Sequence, residues 1–136
     1  MPDADAVLFA NEAFYRAFTD RDIRGMDGVW SQTVAITCLH PGWAPLFGRD
    51  EVMASWAAIL SAPGAPQVRI HAAHASLYGA LASVICFENL GSALLVATNL
   101  FVREGSLWKM VHHQSGPTTT EPPLEDEPGY SPHSLN

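Results

Sequence analysis

Between residues 68 and 115 the chain runs as four apolar, strand-like stretches joined by three short links that each contain a glycine. The stretches are 68–78, 81–90, 93–103 and 107–115; the links are Gly79 with Ala80, Gly91 with Ser92, and Glu104 with Gly105. Two-residue links of this kind fit the tight turns of β-hairpins. Strands joined only by tight turns must lie antiparallel, so this half of the chain is a meander. Few folds for 136 residues accommodate four long consecutive hairpin strands without a partner layer.

The partner layer is legible upstream. Val7, Ala10, Phe14 and Phe18 recur at helical spacing, with Asp3 or Asp5 placed to cap the helix. Asp20, Arg21 and Asp22 break it, and a short second helix follows from Ile23 to about Trp30. Residues 34–39 are β-branched and read as a short strand, ended by Pro41 and Gly42, with loop to Phe47. A third helix is expected from Asp50 as N-cap, with Val52, Trp56, Ile59 and Leu60 as its apolar stripe. Helices first and an antiparallel meander after give an α+β fold. Residues 118–136 carry a cluster of prolines and acidic residues and read as a flexible tail behind a single domain of residues 1–117.

Directly opposed residues on paired strands share a face. Counting out from the three links opposes His71 to Glu88, Cys86 to Ala97, Val84 to Asn99, Phe101 to Trp108, Asn99 to Met110 and Ala97 to His112. One face then mixes aromatic and apolar groups with His71, Glu88, Asn99 and His112, a composition suited to a ligand pocket. The other holds Ile85, Phe87, Val96, Leu100 and Val111, with His113 near its rim. Three helices can cover one face, so the aliphatic face is expected to pair with a second copy of the chain as a homodimer.

The net charge of −7 argues against nucleic acid and anionic membrane surfaces as partners. No apolar run approaches the length of a membrane span, and the acidic N-terminus lacks the basic start of a signal peptide. Cys38 and Cys86 sit in apolar strand-like runs without metal or redox spacing, as buried reduced thiols do, so a cytoplasmic protein is expected.

The order helix, short helix, strand, helix and long meander resembles the NTF2-like superfamily, and more narrowly its SnoaL-like and ketosteroid-isomerase-like branch. The stretches NEAFYRAFTDRD (11–22), GRDEVMASW (48–56) and TNLFVREGSLWKMVHHQSGP (98–117) carry that resemblance, which extends over about residues 5–117. It implies a cystatin-like cone: three helices on a curved antiparallel sheet, a cavity between them, and frequently a dimer through the outer sheet face. Members include isomerases, dehydratases, polyketide cyclases, hydrolases and proteins without demonstrated activity, so the fold does not specify a reaction. In the isomerase branch an aspartate base ends the first strand. Here that place runs from Thr37 to His40 without a carboxylate, which makes His40 the nearest candidate base. The branch's oxyanion hole pairs a first-helix tyrosine, matched by Tyr15, with an acid on the third meander strand, where Asn99 falls. Asparagine can donate a hydrogen bond but cannot be a neutral acid. Two of three positions depart from the pattern, which counts against steroid isomerisation itself.

The candidate proton-moving groups are therefore His40 and the His71–Glu88 pair, with Tyr15 and Asn99 as oxyanion donors. The bland alternatives are a turn histidine and a structural ion pair. Candidate ligand contacts are His112, Met110, Trp108, Phe101, Trp56, Trp30 and Cys86, with Trp43 as a possible lid. No histidine spacing suggests a metal, and no cofactor is expected. The expected ligand is a small, mostly apolar molecule bearing a carbonyl or hydroxyl group, handled by isomerase-, dehydratase- or cyclase-type chemistry. The rival expectation is a non-catalytic binding or assembly module.

Overall fold

The computed structural model describes residues 2–123; the expected tail lies mostly outside them. Helix α1 (Asp3–Thr19) opens behind Pro2 as N-cap. Asp3 and Asp5 occupy its first turn, where they favour the positive end of the helix dipole, so neither is the cap expected from sequence. Arg21, at φ 55°, ends the helix, and the Asp22 carboxylate accepts from Gly25 N to cap α2 (Ile23–Val29). Strand β1 (Thr37–Leu39) is shorter than expected, and β2 (Leu46–Phe47) stands where a loop was expected. Helix α3 (Gly48–Ser61) starts two residues ahead of Asp50. Gly48 takes φ 85°, which turns the chain from β2 straight into the helix. Phe47 is therefore the N-cap, and its N–H donates to the Glu51 carboxylate at 2.9 Å.

The meander follows as β3 (Arg69–Tyr78), β4 (Leu81–Asn89), β5 (Leu94–Glu104) and β6 (Leu107–Pro117). One six-stranded sheet has the order β2-β1-β6-β5-β4-β3. Its pairings are antiparallel except β1 with β6, which is parallel. The helices pack on one face, and a single core joins Val7, Phe14, Trp30, Val52, Trp56, Phe101 and Met110. The α+β architecture is thus the one the sequence implies.

Register decides which side chains face that core. The β4–β5 pairing is as counted, with Glu88 opposite Leu95, Cys86 opposite Ala97 and Val84 opposite Asn99. The β3–β4 pairing agrees from Tyr78 back to His74, then breaks at a bulge where Ala72 adopts φ 55°. Beyond it, Ile70 stands opposite Glu88 and His71 opposite Phe87. The expected His71–Glu88 pair therefore does not form. The last turn comprises Gly105 and Ser106, so Glu104 opposes Leu107 and the counted register moves by two, which preserves the faces of Trp108 and Met110. A second bulge then inserts Val111: Phe101 opposes Met110, Leu100 opposes His112, and Asn99 opposes His113. That one extra residue reverses every assignment after it. His113 is the buried, core-facing histidine, and His112 is the half-buried outer one, its Nδ1 2.6 Å from Thr37 Oγ1. Val111, expected outside, is buried with the core.

Candidate functional site

Five polar side chains from three elements meet inside the core. Helix α1 supplies Asn11 and Tyr15, which fall on the same stripe as Val7 and Phe14. Strand β4 supplies Cys86 and Glu88, two residues apart and so on one face. Strand β5 supplies Asn99. Tyr15 OH donates to Glu88 Oε2 at 2.5 Å and accepts from Asn99 Nδ2 at 3.1 Å and from the Cys86 thiol at 3.4 Å. Asn99 Nδ2 also donates to Asn11 Oδ1 at 2.8 Å. From β6, His113 Nδ1 lies 2.6 Å from Asn99 Oδ1, and its Nε2 lies 4.0 Å from Glu88 Oε2. Ser115, on the same strand, is a further hydrogen-bond partner of Glu88.

Burial sets the protonation of this cluster. It raises the Glu88 carboxyl above the usual carboxylate range, against the hydrogen bonds from Tyr15 and Ser115, which pull the other way. The Tyr15 hydroxyl is held well above its ordinary value, first by burial and then by Cys86 and Glu88. Burial pushes the Cys86 thiol up to about 12, so it is a hydrogen-bond donor and not a nucleophile. His113 is pushed down to about 3 by burial, with His40 and His112 adding to the effect. It is a neutral imidazole.

An aromatic wall adjoins the cluster. The Phe14 ring lies 5.0 Å from His113 and 5.4 Å from Trp56, and Trp56 lies 5.9 Å from His113. His40 is buried between Trp43 and Trp56, each 4.8 Å away, with its ring 6.3 Å from that of His113. Burial lowers it to about 4. His40 Nε2 is 2.9 Å from Ser55 Oγ, but the Ser55 hydroxyl already donates to Val52 O at 2.6 Å. The imidazole must then be the donor, so this Ser–His contact does not activate a nucleophile. Trp43 is 45% exposed and sits edge-on to His40. The indole N–H groups of Trp30 and Trp56 are buried without a hydrogen-bond partner among the described residues.

Of the residues expected at a site, Tyr15, Glu88, Asn99 and Cys86 come together, with His40, Trp56, Phe101, Met110 and Trp30 around them in the core. His71 and His112 do not join them. Both amide hydrogens of Asn99 are already engaged, so it is not placed to serve as an oxyanion donor. Trp108 borders a different space, an apolar cavity of about 580 Å³ between the start of α1, the end of α2 and the β5–β6 turn, which touches none of the hydrogen-bonded cluster. A smaller hollow of about 390 Å³ at the α1–β3 seam reaches Tyr15 and Ile70. Asn11, Phe14, His113 and Ser115 were missed. Asn11 had a signal, because an asparagine in an apolar helical stripe must find a buried partner. No group of three or more histidine, cysteine, aspartate or glutamate residues among the described residues could hold a metal ion.

The sequence profile of the SnoaL-like domain matches residues 7–119. A Streptomyces avermitilis protein of the NTF2-like family, provisionally described as a dehydratase, is 32% identical with a TM-score of 0.78, over 87% of this chain and 97% of its own. A Thiobacillus denitrificans protein, provisionally described as a calcium/calmodulin-dependent protein kinase type II association domain, is also 32% identical, with a TM-score of 0.69 over 81% of this chain and 93% of its own. An NTF2-like protein of unknown function from Pseudomonas putida shares the fold at 19% identity and a TM-score of 0.71, over 94% and 99% of the two chains. No curated protein matches.

Proposed function

Since the chain belongs to the SnoaL-like family of the NTF2-like superfamily, we propose that it binds a small, mostly apolar molecule bearing a carbonyl or hydroxyl group and moves a proton on it without a cofactor. The observation that carries this function is the buried pairing of Glu88 with His113. A carboxyl raised by burial and a neutral imidazole lie 4.0 Å apart on one side of an aromatic wall. Burying such groups is costly, and a domain built only for assembly would gain more from an apolar core there. Proton abstraction next to a carbonyl needs a proton acceptor and a proton donor side by side, the two roles that a neutral imidazole and a carboxyl can fill. Elimination of a β-hydroxyl uses the same two roles, and the 32% identical relative described as a dehydratase supports that class. The hollow at the α1–β3 seam is lined in part by Tyr15, which hydrogen-bonds Glu88.

The test is α-proton exchange in D₂O, followed by NMR, on a panel of small β-hydroxy ketones and esters. Wild-type protein is expected to catalyse exchange on at least one of them. Glu88→Gln should slow it by about 100-fold, the low end of what general acid–base catalysis contributes, while circular dichroism shows the fold retained. Failure to exchange any compound, with no small molecule retained in native mass spectrometry, would exclude this function.

An assembly role has separate support. The outer sheet face presents Ile85, 49% exposed, beside half-buried Phe87, Val96 and Leu100. The second 32% identical relative is provisionally described as an association domain. We propose that this face pairs two copies of the chain. Sedimentation velocity at micromolar concentration is expected to show a dimer, and Ile85→Lys should shift it to monomer; a monomeric wild type would remove this role. No described helix is long and apolar enough to cross a membrane. The unpaired Cys38 and Cys86 support a cytoplasmic setting.

A further inference from the structure

Asn99 is fully buried at the centre of the cluster and touches three of its members. A side-chain amide offers two N–H donors and one carbonyl acceptor. The direction of each bond can be followed from Glu88. The Tyr15 hydroxyl donates its one hydrogen to Glu88 Oε2 at 2.5 Å, so the Tyr15 oxygen can only accept from Asn99. The Asn99 atom facing it must be the amide nitrogen. Its other hydrogen meets Asn11 Oδ1 at 2.8 Å, which agrees with the same orientation. The Asn99 carbonyl is left facing His113 Nδ1 at 2.6 Å. A carbonyl cannot donate, so Nδ1 must carry the hydrogen.

We infer that Asn99 is a positioning residue: held by Tyr15 and Asn11, it locks His113 in the Nδ1–H tautomer and leaves Nε2, 4.0 Å from Glu88, as the free proton acceptor. A neutral imidazole carries one hydrogen, so fixing it on one nitrogen fixes the lone pair on the other. In water histidine favours the opposite tautomer modestly, and a single short hydrogen bond at Nδ1 is enough to reverse that preference. The role of His113 as base rests on the proton-transfer function proposed above, whereas the tautomer itself does not. Asn99 touches no reacting atom; it acts through the imidazole.

The experiment is long-range ¹H–¹⁵N NMR on full-length protein with labelled histidine, at pH 7, which reads the protonated ring nitrogen directly. Wild-type His113 is expected to carry its hydrogen on Nδ1. Asn99→Leu, similar in volume but without the acceptor, should move it to Nε2 and lower α-proton exchange by about 100-fold, the scale of one general base. Asn99→Asp keeps an acceptor facing Nδ1, so it should keep the tautomer and restore part of the exchange. Wild-type protein with the hydrogen on Nε2 would overturn the inference, whether or not exchange occurs. An Asn99→Leu protein that keeps the Nδ1–H form would overturn it as well. If Asn99→Leu does not fold, the wild-type and Asn99→Asp spectra still decide. The Nδ1–H form in a protein that exchanges no substrate would uphold the tautomer lock and exclude the proposed chemistry, so the two failures are distinct.

Discussion

Lowering the pH from 7 to 5 is expected to remove up to about 4 kcal/mol of folding stability through two residues. His113 and His40 are held down at about 3 and about 4, against an ordinary value of 6.5. Below pH 6.5 the unfolded chain takes up protons that the folded chain refuses, so each step down in pH favours unfolding. The loss grows until the pH passes about 4 for His40 and about 3 for His113, where the folded groups protonate too. At pH 5 each group has contributed 1.5 pH units of this slope, about 2 kcal/mol. Glu88 acts in the opposite direction. Its raised folded value means that the ionised form is penalised when folded, and acidification relieves that penalty in part. The net result should be a fall in Tm of roughly 10 °C between pH 7 and pH 5. Differential scanning calorimetry at half-unit pH steps measures it. A flat Tm across that window would mean that the two imidazoles are not buried in neutral form.

Phe14→Ala should destabilise the fold by about 3–5 kcal/mol, the range for truncating a buried phenylalanine. The Phe14 ring is fully buried and sits edge-on to Tyr15 at 4.7 Å, Trp56 at 5.4 Å and Trp30 at 6.3 Å, and tilted against His113 at 5.0 Å. It therefore contacts large side chains from α1, α3 and β6, and Trp30 at the end of α2, beside the hydrogen-bonded cluster. Removing it leaves a void among stiff aromatic rings that cannot easily close over it, which places the cost towards the upper end. Urea unfolding followed by tryptophan fluorescence gives the change in midpoint at constant slope. A loss under about 1.5 kcal/mol would show that the rings collapse onto each other and that Phe14 does not hold them apart.

The helices and the meander were legible because each depends on a local period. Val7 and Phe14 mark α1, and glycine-bearing links mark the hairpins. Asp50 is not the cap because Gly48, at positive φ, already starts the helix two residues earlier. The β1–β6 pairing was not legible, because a parallel contact between distant segments leaves no turn to read. Strand β2 has two residues, too few for any alternation. Tyr15, Cys86, Glu88 and Asn99 of the candidate site were recovered, because those positions lie in the evenly paired part of the sheet or on the first helix. His112 and His113 were exchanged by the bulge at Val111, and His71 was displaced by the one at Ala72, ordinary residues that nothing in the sequence distinguishes from their neighbours. Parity along a strand is lost by a single such residue, however well the turns are placed.

The doubled imidazole after Val111 puts the same side chain on both faces of β6 beside the bulge. A hairpin that zips without the bulge turns His112 inward, and one that zips with it turns His113 inward. Either assembly delivers an imidazole to the interior and another to the outer surface. At these two positions a one-step slip swaps like for like, although further along it would turn Gln114 inward in place of Ser115. A shift of the bulge across these two positions therefore leaves an imidazole in the interior in either register.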